Sequence, residues 1–146
     1  MSRPVLLAVT EGAGARPGPD AGIDALARAI WAHGRERGIR AMEALAAMAV
    51  NRRTLFPGRT LACIASDPTL FAAWDPADAR HEAMRRADSA DPAFAAALRV
   101  ARRALAGGAD PVDGATWFHD IADPVPAGVA ALAPRALLAG FHFYRT

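Results

Sequence analysis

The residues best able to do chemistry are few and far apart: His33, Glu36, His119 and His142, with Cys63 as the one cysteine. An imidazole with an ordinary pKa of about 6.5 can give or take a proton near neutrality. His33 follows Ile30 by three residues and Leu26 by seven, on the margin of a helical apolar face. There it can serve as a general acid, or sit as a hydrogen-bonded, partly buried side chain with no chemistry. Glu36, one turn on at the edge of the same face, offers a carboxyl for the same task. His119 and His142 stand between aromatic residues and suit either contact with a ligand or the pinning of two short strands. Three histidines could hold a metal, but no i, i+4 pair and no ligand-spaced carboxylate supports that, so no metal or other cofactor is expected. Cys63 sits in Leu61-Ala62-Cys63-Ile64 and reads as a small core residue; alone it permits no internal disulfide. His81 falls in a charged helical segment and reads as exposed.

These side chains need scaffolding, and hydrophobic spacing indicates which. Ile23, Leu26, Ala27, Ile30 and Trp31 recur as one face of a helix beginning near Ile23. A second helix is expected from Ile39 to Arg53, with Ile39, Met42, Leu45, Ala46, Ala49 and Val50 in register and Gly38 as the break before it. Asp-Pro occurs at Asp67, Asp75, Asp91, Asp110 and Asp123; aspartate can cap a helix whose first position suits proline. Asp75-Pro76 is expected to open a helix to about Ala87. Asp91-Pro92 is expected to open another, with the stripe Phe94, Leu98, Ala101, Leu105 ending at Gly107-Gly108. Gly114 to His119 and Gly140 to Arg145 read as two short strands, joined by a loop holding Pro124, Pro126 and Pro134. Residues 1–22 read as a flexible leader and 23–146 as one domain, mainly α with a small β-ribbon (α+β).

At 146 residues, 53% hydrophobic and 22% charged, the chain is long enough for one cored domain and too apolar for disorder. All 17 basic residues are arginine, and the formal charge is only +2. The pairs Arg52-Arg53, Arg85-Arg86 and Arg102-Arg103 have acids close by and read as solvated helix faces, with attraction to an anionic polymer as the alternative. No helix-turn-helix spacing and no aromatic RNA-binding motif accompanies them, so nucleic acid is not an expected partner. The run Val5 to Val9 is too short for a signal-peptide core, and no stretch is long enough for membrane insertion. The expected location is therefore cytoplasmic as synthesised, with action on a cell wall only after release or export by another route.

Taken in order, several segments resemble the SleB-like cell-wall hydrolases, the family of the spore-cortex lytic enzymes. Trp31-Ala32-His33-Gly34-Arg35-Glu36-Arg37 corresponds to a Tyr-Ala-Glu-Ala-Arg-Gly-Glu type motif closing the first helix. Asn51-Arg52 matches the Asn-Arg that closes the second, without a gap between the two. Phe71 and Trp74-Asp75 follow the family's Phe-then-Trp feature. Gly114-Ala115-Thr116-Trp117-Phe118-His119 is similar to Gly-Ala-Thr-His-x-His, and His142-Phe143-Tyr144-Arg145 is similar to the family's closing motif. The resemblance spans about residues 23–146.

The resemblance implies a compact, lysozyme-like or lytic-transglycosylase-like domain whose partner is peptidoglycan glycan strands. In that chemistry a glutamic acid at the end of the first helix protonates the glycosidic oxygen. The sugar's own hydroxyl then closes an anhydro ring, so a second catalytic carboxylate is not always needed. That glutamate position is His33 here, Trp117 replaces a histidine, and Arg37 replaces the motif's second glutamate. His33 is then itself the acid, or Glu36 has taken over, or catalysis is lost and a glycan-binding module remains, part of a larger wall-degrading or phage-like machine. The same resemblance places Trp74, Thr116, Phe118, His119, His142 and Tyr144 at the glycan cleft, although each aromatic suits a core equally well.

Overall fold

A computed structural model describes residues 19–146, so most of the expected leader lies outside the described residues. Five helices run α1 (Pro19–Gly34), α2 (Ile39–Arg53), α3 (Leu61–Ala65), α4 (His81–Arg86) and α5 (Pro92–Leu105). Three strands follow: β1 (Trp117–Asp120), β2 (Ala136–Leu138) and β3 (Phe141–Tyr144). The result is a mostly helical α+β domain. Among the described residues no helix is long and apolar enough to cross a membrane.

α1 is the central rod and touches every other helix. Ala25, Leu26, Ala27, Ala29, Ile30, Trp31 and Ala32 are all buried, so its apolar surface runs nearly all round and its alanines let neighbours approach closely. It starts about one turn before Ile23, because Pro19 suits a first helical turn and Asp20 complements the positive end of the helix dipole. α2 is equally enclosed from Ala41 to Ala49, whereas Ile39, in its first turn, is 48% exposed despite its place in the register.

Three expectations fail on the short helices. α3 is capped by Thr60, whose hydroxyl accepts from the Cys63 N–H at 3.2 Å. Leu61, Ile64 and Ala65 take its buried face, and Cys63 is left exposed rather than in the core. The segment after Asp75 is not helical until His81. Asp75 accepts from Ala77 N–H at 2.9 Å and Asp78 from Arg80 N–H at 2.9 Å, and these local turns compete with helical hydrogen bonding. His81 is buried, not exposed: its Nδ1 donates to the Ala73 carbonyl at 2.9 Å.

α5 follows its expectation closely. Asp91 caps it, with one carboxylate oxygen accepting from Ala93 N–H at 2.8 Å and the other from Trp31 Nε1 at 3.1 Å. Trp31 is thereby a core residue tied to the neighbouring helix. Asp91→Ala removes both bonds and is expected to cost about 2 kcal/mol in urea unfolding, more than a bare cap, because it also orphans the indole. A loss under about 0.5 kcal/mol would mean that neither bond matters.

The strands form one antiparallel sheet in the order β1-β3-β2. Phe118 pairs with Phe143 and His119 with His142, so phenylalanines line one face and histidines the other. Phe118, Phe141 and Phe143 are buried. β2 is an addition to the expected ribbon and joins β3 through Ala139-Gly140, both at positive φ (53° and 85°), a tight primed turn. The sheet is fixed to the helices at two points. Asn51 donates to Asp110 and to the Ala115 carbonyl, both at 3.1 Å, and Arg52 to the Thr116 carbonyl at 3.0 Å, which sets the entry to β1. Arg37 pairs with Asp120, donates to the Gly140 carbonyl at 3.1 Å and lies over the Phe141 ring at 4.4 Å.

Candidate functional site

A cavity of about 230 Å³ opens where the end of α1, the turns between Pro68 and Arg80, β1 and the loop after β1 meet. His33, Arg80, Trp117, His119, Asp120 and Asp123 supply its polar and aromatic lining, with Pro124 and Pro126 at one side.

His33 is partly buried, its ring 5.6 Å from that of Phe71 and 5.8 Å from that of Phe118. Its Nε2 lies 3.2 Å from the Ala73 N–H, and a neutral imidazole has a single acceptor nitrogen, so it accepts from Ala73 or from its other neighbour but not from both. Nδ1 lies 2.9 Å from a guanidinium nitrogen of Arg80, a group that only donates. An imidazolium here would present N–H to two donors. Burial is the larger reason, and the Arg80 charge the next, that the pKa of His33 falls from 6.5 to about 3. A histidine in the last turn of a helix is normally favoured as a cation by at most about 2 kcal/mol, and desolvation overrides that here. His33 is therefore neutral at pH 7, not the imidazolium a general acid would need.

Asp78 and Asp120 are held in their charged forms by their neighbours. Arg80 forks onto Asp78 through two contacts of 2.8 Å, which keeps the Asp78 carboxyl far below the usual carboxylate range. Burial opposes the charge of Asp120, but the Ala122 N–H at 2.9 Å and the Arg37 guanidinium outweigh it and hold Asp120 ionised. His119 is 7% exposed, and burial, then the neighbouring His142, push its pKa down. Its Nδ1 and Trp74 Nε1 are buried without a hydrogen-bond partner among the described residues.

Of the residues singled out from sequence, the cavity brings together His33, Phe118 and His119. Glu36 sits in a 3₁₀ turn with no buried residue and is exposed, away from the lining. Thr116 is buried behind the strand, its hydroxyl accepting from Thr146 N–H at 3.1 Å. His142 and Tyr144 back the wall: the His119 ring lies 5.2 Å from that of His142 and stacks on Tyr144 at 5.6 Å. Trp74 packs half-buried against the core and does not line the cavity. Arg80, Asp120 and Asp123 were not singled out from sequence. Asp120 directly follows the His119 motif, and Asp123 belongs to an Asp-Pro pair, the signals that could have raised them. Among the described residues no group of three or more His, Cys, Asp or Glu is arranged to hold a metal ion.

A second hollow of about 240 Å³ lies between α2 and α5, lined by Arg40, Glu43, Arg103 and small residues. Its Arg103–Glu43 pair, at 3.6 Å, is largely solvated and brings no reactive group. No family model, curated protein or solved structure matches the chain.

Proposed function

We propose that the chain is a cell-wall glycan-binding domain of SleB-like, lysozyme-like descent that holds glycan strands in the His33 cleft without cutting them. The order of motifs from Trp31 to Arg145 supports the kinship, and a helical body with one small sheet is compatible with a lytic-transglycosylase-like plan. The observation that carries the reading is the state of His33. It occupies the position of the family's acid, yet it is neutral and faces two N–H donors. A leaving glycosidic oxygen needs a proton; Asp120 is held ionised, Arg80 is tied to Asp78, and Glu36 lies away from the lining.

The test is incubation with peptidoglycan sacculi, scoring both co-sedimentation and soluble products by mass. The native chain is expected to sediment with the sacculi and release no muropeptides. Products that disappear in Glu36→Gln would instead make it a hydrolase or lytic transglycosylase with a relocated acid; products lost in His33→Gln would make His33 the acid. Products from His33→Glu alone would identify the native cleft as the silent form of a lytic one.

A further inference from the structure

One edge of the sheet opens into the cleft. The order β1-β3-β2 leaves β1 paired on one side only, and all four of its residues, Trp117 to Asp120, line the cavity. Ile121 N–H donates to the Gly140 carbonyl at 3.0 Å, which fixes the phase of the ladder. In the register Trp117↔Tyr144 and His119↔His142, those two residues of β1 bond to β3. Neighbours along an antiparallel strand turn their N–H and C=O to opposite sides, so Phe118 and Asp120 direct theirs towards the open edge. The Asp120 carbonyl bears this out, since it accepts from the Asp123 N–H at 3.0 Å. Phe118 N–H, Phe118 C=O and Asp120 N–H remain, and none of the turn bonds among the described residues reaches them. Such a row is a template for one more strand.

We propose that residues 5–10 of the same chain are that strand, lying along the open edge of β1 and closing the cleft until a ligand displaces them. Residues 1–18 lie outside the described residues, and within them Val5-Leu6-Leu7-Ala8-Val9-Thr10 is a run without charge, glycine or proline. Its β-branched Val5, Val9 and Thr10 favour a strand. The reach is sufficient. α1 has 16 residues and is about 24 Å long, with Pro19 at one end and His33, in the cavity wall, near the other. Residues 11–18 can span about 26 Å when extended, enough to carry Thr10 from the start of α1 to the cleft. The walls also suit the segment. Trp117 and Phe118 project from opposite faces of β1, and Leu70, Pro124 and Pro126 share the lining, so both alternating sets of side chains meet apolar surface. An antiparallel pairing brings Arg3 towards the end of β1 that carries the exposed Asp123, where opposite charges meet. Competition between this segment and a glycan strand for one groove is the consequence, and that part rests on the glycan reading above.

Amide hydrogen exchange, read residue by residue by NMR in the full chain and in its Leu6→Pro/Leu7→Pro variant, tests the pairing. Whichever register holds, one of two adjacent N–H groups faces β1, and proline removes it. The Phe118 and Asp120 amides are expected to exchange at least about tenfold more slowly in the native chain than in the variant. His119, bonded to β3, should be equally protected in both and reports that the fold is intact. The variant is expected to bind sacculi more tightly by the same factor, because one equilibrium governs both readouts. Equal exchange at Phe118 and Asp120 in the two forms, whether fast or slow, overturns the proposal. Protection that grows with protein concentration assigns the strand to a second copy and overturns the pairing within one chain. Protection lost in the variant with sacculus binding unchanged places the segment off the glycan path and overturns the closure. Sedimentation of neither form removes the glycan reading, while exchange at Phe118 and Asp120 still decides the pairing.

Discussion

Acidifying the protein from pH 6.5 to 4.5 is expected to lower its unfolding free energy by about 2 kcal/mol through His33 alone. The folded-state pKa of His33 is about 3, below its ordinary 6.5. The unfolded chain therefore takes up a proton that the folded chain refuses across that interval. Stability is fully present above the unfolded pKa and is lost as pH falls towards the folded one, at about 1.4 kcal/mol per pH unit. Asp78 and Asp120, whose pKa values are also depressed, add their share only nearer and below the ordinary carboxylate pKa of 3.8, so the upper interval belongs to histidine. His119 acts in the same direction. Urea titrations at several pH values, set beside His33→Gln, isolate the His33 part: the variant keeps an acceptor for Ala73 N–H but cannot titrate. Its profile should be flatter by most of that difference. Parallel profiles for the two proteins would sink the argument that His33 is locked neutral.

Phe118→Ala is expected to be the most damaging single change in the sheet, costing about 3–5 kcal/mol and on the order of 10 °C in Tm. Phe118 joins the two layers. Its ring lies 5.6 Å from Phe71 on the helical side, 5.4 Å from Phe141 and 6.3 Å from Phe143 within the sheet, and 5.8 Å from the imidazole of His33. Truncation leaves a hole bounded by both layers, which cannot close without moving the cleft wall. Phe118→Leu, which keeps most of the volume, should cost well under half as much. Thermal unfolding of the two variants at pH 7 checks this; a drop below about 2 °C for the alanine would show that the wall collapses freely onto the core.

The long elements were legible because their spacing is unambiguous. Leu26, Ile30 and Trp31 in α1 and Phe94 and Ala101 in α5 repeat with the helical period, and both runs are bounded by capping or breaking residues. The phenylalanine-rich ends of the ribbon were legible for a similar reason. β2 was not: three residues, Ala136 to Leu138, in a stretch full of alanine and proline carry no alternation, and their pairing comes from β3. His81 was misread because Arg80, Glu82, Arg85 and Arg86 surround it in sequence, whereas burial depends on the one face that meets Ala73. At the site, His33, Phe118 and His119 could be named from spacing and resemblance. Arg80, Asp120 and Asp123 could not, since ordinary turn residues become a lining only when the turns are folded against β1.

The clasp made by Arg37 bears on how the molecule comes together. Its bonds reach Asp120 across 83 residues and Gly140 across 103 residues of chain. Closing so long a loop spends entropy before any contact repays it, and contacts of that separation slow folding. The helices close onto α1 over shorter separations, the longest-spanning of these bonds, Trp31 to Asp91, reaching across 60 residues. The wall bearing His119 and Asp120 thus depends on a long-range closure, and a chain in which that closure had not formed would lack one wall of the cavity.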